Sequence, residues 1–145
     1  MTKRDIMAEI GKILDDAKTG LLATVDSEGK PHMRWLTPAV LRGRVGALYN
    51  VTAPNSVKLE QLRANPYVQW MIQSRALDRI ITVNGKINIV ENPSIRNEVL
   101  EAVGDRLRVF WKIHESEWEI CVLETIIEKA TYYLPMKNRK ETVEF

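Results

Sequence analysis

The sequence predicts a mainly β fold: a small antiparallel β-barrel of six or so strands with peripheral helices. Three observations predict it. Short apolar runs recur at hairpin spacing, polar turns separate them, and helical periodicity is confined to stretches at the connections. There are no internal repeats, low-complexity segments or linkers, so residues 1–145 read as a single domain.

The elements follow in order. Ile6, Ile10, Ile13, Leu14 and Ala17 recur at helical spacing, and Gly20 reads as the stop after the last turn. Leu21 to Val25 reads as a strand, Asp26-Ser27-Glu28-Gly29 as a turn, and Pro31 to Leu41 as a second strand. After the turn Arg42-Gly43-Arg44, Val45 to Val51 forms a third strand and Val57 to Ala64 a helix. That helix ends at Asn65-Pro66, because proline disfavours helical backbone at the residue before it. Tyr67 to Gln73 and Ile80 to Val90 are two more strands. Pro93 to Val103 is a third helix with proline tolerated at its start, and Cys121 to Leu134 supplies one or two closing strands.

Composition excludes several classes. Lys+Arg 21 against Asp+Glu 19 leaves no basic tract, so nucleic acid is not indicated. No apolar run approaches the ~20 residues that span a bilayer. The start, Met1-Thr2-Lys3-Arg4-Asp5, is not a signal peptide. A single cysteine, Cys121, gives neither a disulfide framework nor a metal pair and reads as a small buried hydrophobe. The expectation is a soluble cytoplasmic protein without a metal site.

Catalytic constellations are missing. His32 and His114 are the only histidines and lack metal-ligand spacing; His32 reads as a surface or edge residue. No G-x-S-x-G, Walker A or G-x-G-x-x-G occurs, and the acids are scattered singly. No catalytic side chain or proton donor stands out, so a cofactor would have to bring the chemistry.

The stretch Thr52-Ala53-Pro54-Asn55-Ser56-Val57-Lys58 carries the most information. It joins a strand to a helix start, where free backbone N–H groups and the helix dipole favour anions. Ser56 or Asn55 suits the N-cap. Lys58 in the first turn opposes the dipole, which fits either a side chain extended into water or one facing a bound anion. Alternation places His32, Arg34, Leu36 and Pro38 on one face of the second strand, and Met33, Trp35, Thr37 and Ala39 on the other. Arg34 therefore sits mid-strand among apolar neighbours, where it needs a carboxylate, a phosphate or solvent.

Together, Gly29-Lys30-Pro31-His32-Met33-Arg34-Trp35-Leu36-Thr37-Pro38 and Thr52-x-x-x-Ser56-x-Lys58-x-x-Gln61-x-x-x-Asn65-Pro66 resemble the pyridoxamine 5′-phosphate oxidase-like FMN-binding split-barrel family, in its short general-stress-protein branch. The resemblance continues through Val83-x-Gly85-Lys86 to Glu128-Lys129-Ala130-Thr131-Tyr132-Tyr133, covering nearly the whole chain. It implies a six-stranded split barrel that forms a homodimer, with FMN in clefts at the subunit interface. It implies that Arg34, Ser56 and Lys58 hold the FMN phosphate, with Thr52 beside them. Trp35, Leu36 and Thr37 would lie along the isoalloxazine ring, largely through backbone groups. The implied function is a flavin-dependent oxidoreductase acting on a small molecule or reduced nicotinamide. The alternatives are a non-enzymatic flavin carrier or stress-response binding module, and a haem- or deazaflavin-binding relative.

Departures from the oxidase pattern qualify that expectation. The oxidase proper carries an arginine where this chain has Val57, a lysine at Ala39 and a glutamine at Ile80. The C-terminal segment Met136-Lys137-Asn138-Arg139-Lys140-Glu141 lacks the oxidase's arginine and histidine pattern. Pyridoxamine phosphate oxidation is therefore not expected, and FMN affinity should be modest. Among the aromatics, Trp70 reads as core or interface. Phe110 and Trp111 fall in an irregular stretch before Trp118, and are open to either a cofactor or a partner. Tyr133 reads as a packing residue.

Overall fold

The computed structural model describes residues 1–54, 56–111 and 120–145, with side chains left out for 106–111. In chain order the elements are α1 (Lys3–Ala17), β1 (Gly20–Val25), β2 (Pro31–Leu36), β3 (Ala47–Thr52), α2 (Val57–Ala64), β4 (Tyr67–Gln73), β5 (Ile80–Val90), α3 (Pro93–Trp111), β6 (Cys121–Leu134) and β7 (Arg139–Glu144). All strand pairings are antiparallel, in the order β2-β1-β4-β5-β6-β3, with β7 added alongside β6. The two ends of this path are linked by one isolated bridge, between Ala39, three residues past the end of β2, and Tyr49 of β3. There Ala39 N–H donates to Tyr49 O at 2.7 Å, and Tyr49 N–H to Ala39 O at 2.9 Å. Among the described residues the fold is thus mainly antiparallel sheet with three α-helices, curled into a barrel that stays split.

Several boundaries differ from the sequence expectation, each for a local reason. The second strand stops at Leu36 and does not reach Leu41, because Pro38 has no N–H for a ladder. Thr37 and Ala39 are consequently buried, although Met33 and Trp35, placed on the same face by simple alternation, are exposed. Gly20 is not the stop of α1. Lys18 takes the left-handed conformation (φ 67°) and its N–H returns to Leu14 O at 2.9 Å. Gly20 instead opens β1, where a Cβ would lie 3.3–3.4 Å from the side chains of Ile72, Pro38 and Trp70. The third helix runs on to Trp111, so Phe110 and Trp111 belong to a helix and not to an irregular stretch; their side chains and Trp118 lie outside the described residues. Cys121, expected as a small buried hydrophobe, is partly buried and packs against the main core. The seventh strand, β7, has no counterpart in the expectation of six: Arg139-Lys140-Glu141 are charged, and only Val143 on it is buried.

The N-terminal helix is fixed at its start by a reciprocal cap. The Thr2 hydroxyl accepts from Asp5 N–H at 3.1 Å, and the Asp5 carboxylate accepts from Thr2 N–H at 2.8 Å. Ile6, Ile10, Ile13 and Leu14 of α1 then pack on the inner face of the sheet with Leu22, Leu48, Trp70, Ile72, Ile81 and Leu123. Fully burying each such side chain contributes on the order of 1.5–3 kcal/mol. Trp70 is the core residue its strand position implied, and its indole N–H donates to Thr125 Oγ1 at 3.0 Å. A second cluster lies on the opposite face, where Val99 and Val103 of α3 cover Ala47, Tyr49, Val51 and Val122.

The long β5–β6 pair bends at a register shift between Asn84 and Gly85. A Cβ on Gly85 would lie 2.3 Å from the Ile126 carbonyl oxygen, so the close approach of β6 demands glycine there. Gly11, in the middle of α1, is the opposite case: a Cβ would meet nothing within 4 Å. Glycine in a helix interior costs about 1 kcal/mol relative to alanine, and no contact among the described residues accounts for it. Among the described residues, no helix is long and apolar enough to cross a membrane.

Candidate anion-binding site

The β1–β2 register sets Leu22 opposite Arg34, so the arginine projects over a buried part of the barrel. Its guanidinium is met there by neutral groups. Arg34 Nη1 donates to Thr24 Oγ1 at 2.7 Å and to Leu22 O at 3.3 Å, and Nη2 donates to Gln61 Oε1 at 3.1 Å. The Thr24 hydroxyl donates in turn to Gln61 Oε1 at 2.7 Å. Thr24 and Gln61 are both buried. Gln61 belongs to α2, so this network ties the helix to β1 and β2.

The same helix brings Lys58 to the site. Its ammonium donates to Thr52 Oγ1, at the end of β3, and the Thr52 and Ser56 hydroxyls stand 3.4 Å apart. Lys58 therefore does not extend freely into water, one of the two readings its sequence position left open. Burial pushes its pKa below the ordinary lysine range, and the charge of Arg34 pushes it further down. Burial also lowers the Arg34 pKa, although a guanidinium stays charged throughout. Among the described residues, neither cation forms an ion pair with a carboxylate. Two like charges thus converge in a partly desolvated place with only neutral partners.

Ser56 holds the N-cap position of α2 with extended backbone but makes no side-chain capping bond. Among the described residues no side chain caps the first-turn amides of α2, and the Ser56 hydroxyl is free of that duty. Asn55, the other N-cap candidate, lies outside the described residues. Val57 follows, 69% exposed, and adds an apolar group where a cation would otherwise stand. Arg34, Thr52, Ser56 and Lys58 are accordingly brought together, as the family resemblance implied.

The remaining candidates sit apart. The Trp35 side chain is 66% exposed on the outer face, away from Arg34; Leu36 packs toward the core, and Thr37 is buried. Because β2 ends the sheet path, one row of its backbone groups faces no strand. His32 is exposed and pairs with Asp26 at 2.8 Å, holding that carboxyl below its usual range. Tyr133 is half-buried, with Lys140 Nζ 5.2 Å from its ring centre. The residues that sequence reasoning missed are Thr24 and Gln61, which orient Arg34. Gln61 stands within the family motif, but a mid-helix glutamine carries no signal of its own. Asn50, on the same strand as Thr52, is fully buried, and neither of its amide atoms is bonded among the described residues.

Comparison with known proteins decides the family. The family model described as pyridoxamine 5′-phosphate oxidase matches residues 6–122. The chain belongs to that family. General stress protein 26 of Bacillus subtilis is 26% identical over 127 residues, covering 86% of this chain and 85% of that protein. The pyridoxine/pyridoxamine 5′-phosphate oxidase of Pseudomonas putida is 36% identical over 75 residues, spanning 52% of this chain but only 34% of that oxidase. In structure, the family fold recurs in a Clostridium acetobutylicum protein related to general stress protein 26, with TM-score 0.75, 13% identity and coverage of 100% and 97% of the two chains. It also recurs in a Mesorhizobium loti FAD-binding protein (TM-score 0.66, 20% identity, 86% and 91% covered). A Mycobacterium smegmatis haem-binding protein shares it too (0.70, 18%, 95% and 57%). This chain therefore has both flavin-binding and haem-binding structural neighbours.

Lys58 gives the site a pH signature. Its folded-state pKa lies below the unfolded value of 10.5, so between the two the unfolded chain holds more protons and stability rises with pH. Tyr49 acts in the opposite sense above pH 10, because burial and its bond to Glu124 push the phenol up to about 12. Thermal melts between pH 7 and 10 should therefore climb more steeply for the wild type than for Lys58→Met. Saturating inorganic phosphate should flatten the wild-type slope. Parallel slopes for the two proteins would show that Lys58 carries no such strain.

Proposed function

We propose that the chain binds FMN, with Arg34, Ser56, Lys58 and the first-turn amides of α2 holding the phosphate and Thr52 orienting the lysine. The observation that carries this reading is the pairing of two partly buried cations with no carboxylate partner among the described residues. A dianionic phosphate fits that donor set: it neutralises both cations and accepts from the hydroxyl and the uncapped helix terminus. The same set offers none of the customary axial ligands of haem iron, which favours a flavin. Bound FMN would supply the redox chemistry, making the protein a flavin-dependent oxidoreductase for a small molecule or reduced nicotinamide.

What this chain's own residues do follows from their placement. Thr24 and Gln61 hold the guanidinium of Arg34 on α2, so part of its donor capacity is spent on orientation and the rest faces the phosphate. The free backbone edge of β2 at Trp35, Leu36 and Thr37 gives the flavin ring hydrogen-bonding groups without requiring those side chains. With Val57 in place of a further cation, the phosphate is held by fewer charges than in the oxidase, which suits modest FMN affinity and argues against pyridoxamine phosphate oxidation.

The homodimer implied by the family belongs to the same proposal. Trp35 and Met33 are 66% and 63% exposed on the outer face of β2, with Leu21 paired beside Trp35 and Met71 beyond it. An apolar stripe across three strands suits a second copy. No membrane or nucleic-acid role is proposed, and a cytoplasmic location is.

Two measurements test these statements. Arg34→Ala and Lys58→Ala should each weaken FMN binding by roughly 10–100-fold in a flavin-fluorescence titration, the scale of a hydrogen bond to a charged group. Unchanged affinity in both would remove the phosphate assignment. Trp35→Glu should convert a dimer to a monomer in sedimentation, and a wild type that sediments as a monomer would remove the interface.

A further inference from the structure

A groove of about 620 Å³ lies between α1, the 39–45 loop and α3, and shares no lining residue with the anion site. Its size falls within the range of small-ligand pockets. The apolar part is formed by Met7, Leu14, Val40, Leu41 and Val45, of which Val45 is 50% exposed. Arg4, Arg42 and Arg44 also line it. Against them stand Asp15, which also lines the groove, and Glu98, 3.8 Å from Arg44. Among the described lining residues, three arginines stand against the single carboxylate of Asp15.

Gly11 supplies a second, independent observation. It lines the groove from the middle of α1, and no packing contact among the described residues requires a glycine there. A side chain at this position would project into the groove instead. The helix thus keeps a residue that weakens it at a place where bulk would narrow the cavity.

We propose that this groove binds a carboxylate bearing an aliphatic tail. The tail would lie over Met7, Leu14, Leu41 and Val45, and the head would meet the guanidinium fork of Arg4 or Arg42, which matches carboxylate geometry. The carboxylates of Asp15 and Glu98 repel a phosphate monoester, whose charge at neutral pH approaches −2, more strongly than a monoanionic carboxylate.

The test is a titration of the full chain with octanoate, followed by the amide resonances of Gly11 and Gly43. Saturable shifts at both glycines are expected. Gly11→Leu should weaken the binding at least tenfold and Arg42→Ala at least threefold, both without changing FMN affinity. Gly11→Ala should raise the melting temperature and confirms that the helix tolerates a side chain there. Four outcomes would overturn the proposal: no saturable shift at either glycine; shifts unaltered by Gly11→Leu; tighter binding of octyl phosphate at the same resonances; or the same shifts on concentrating the protein alone, which would make the groove a contact between copies.

Discussion

Arg34 and Lys58 face one another across the junction of β2, β3 and α2, and the local structure is arranged around keeping them there. Neither would be stable in a partly desolvated place without acceptors. Thr24 and Gln61 provide them for Arg34, and Thr52 for Lys58. All three acceptors are neutral, so they hold the cations in position without cancelling their charge. A carboxylate in any of those places would make a more stable apo protein and a weaker anion site.

This requirement also explains how a helix of only eight residues is fixed. Helix α2 buries Leu59 and Leu62, but its third buried side chain is Gln61, spent on Arg34. Isolated helices this short are marginal, so tertiary contacts decide their place. The polar network therefore fixes the helix and aims its first turn. Leu59 and Leu62 seat the same helix on the main barrel core. Trp70, Leu22 and Leu48 pack with α1, and α3 covers the opposite face of β3 and β6.

Much of this is legible in the sequence, and the limits have physical causes. Period-two alternation and proline punctuation locate β4, β5 and α2 to the residue. The strand through Arg34 reads too long, because an apolar run continues to Leu41 while the missing N–H of Pro38 ends the ladder at Leu36. Strand β7 leaves no signal because it is charged along most of its length and gains its place from pairing with β6. Arg34, Thr52, Ser56 and Lys58 are nominated together by the family resemblance, and the fold brings them to one place. Thr24 and Gln61 cannot be assigned from sequence alone, since orienting an arginine across 10 and 27 residues of chain leaves no local trace.

The central claim is that the two cations await a phosphate. Paired titration of the protein with FMN and with riboflavin, which differ in that group, tests it most directly. Two charge-assisted contacts correspond to roughly 100-fold or more in affinity, so FMN should bind at least that much more tightly than riboflavin. Equal affinity for the two flavins would contradict the account, because Arg34 and Lys58 would then be serving something other than the phosphate.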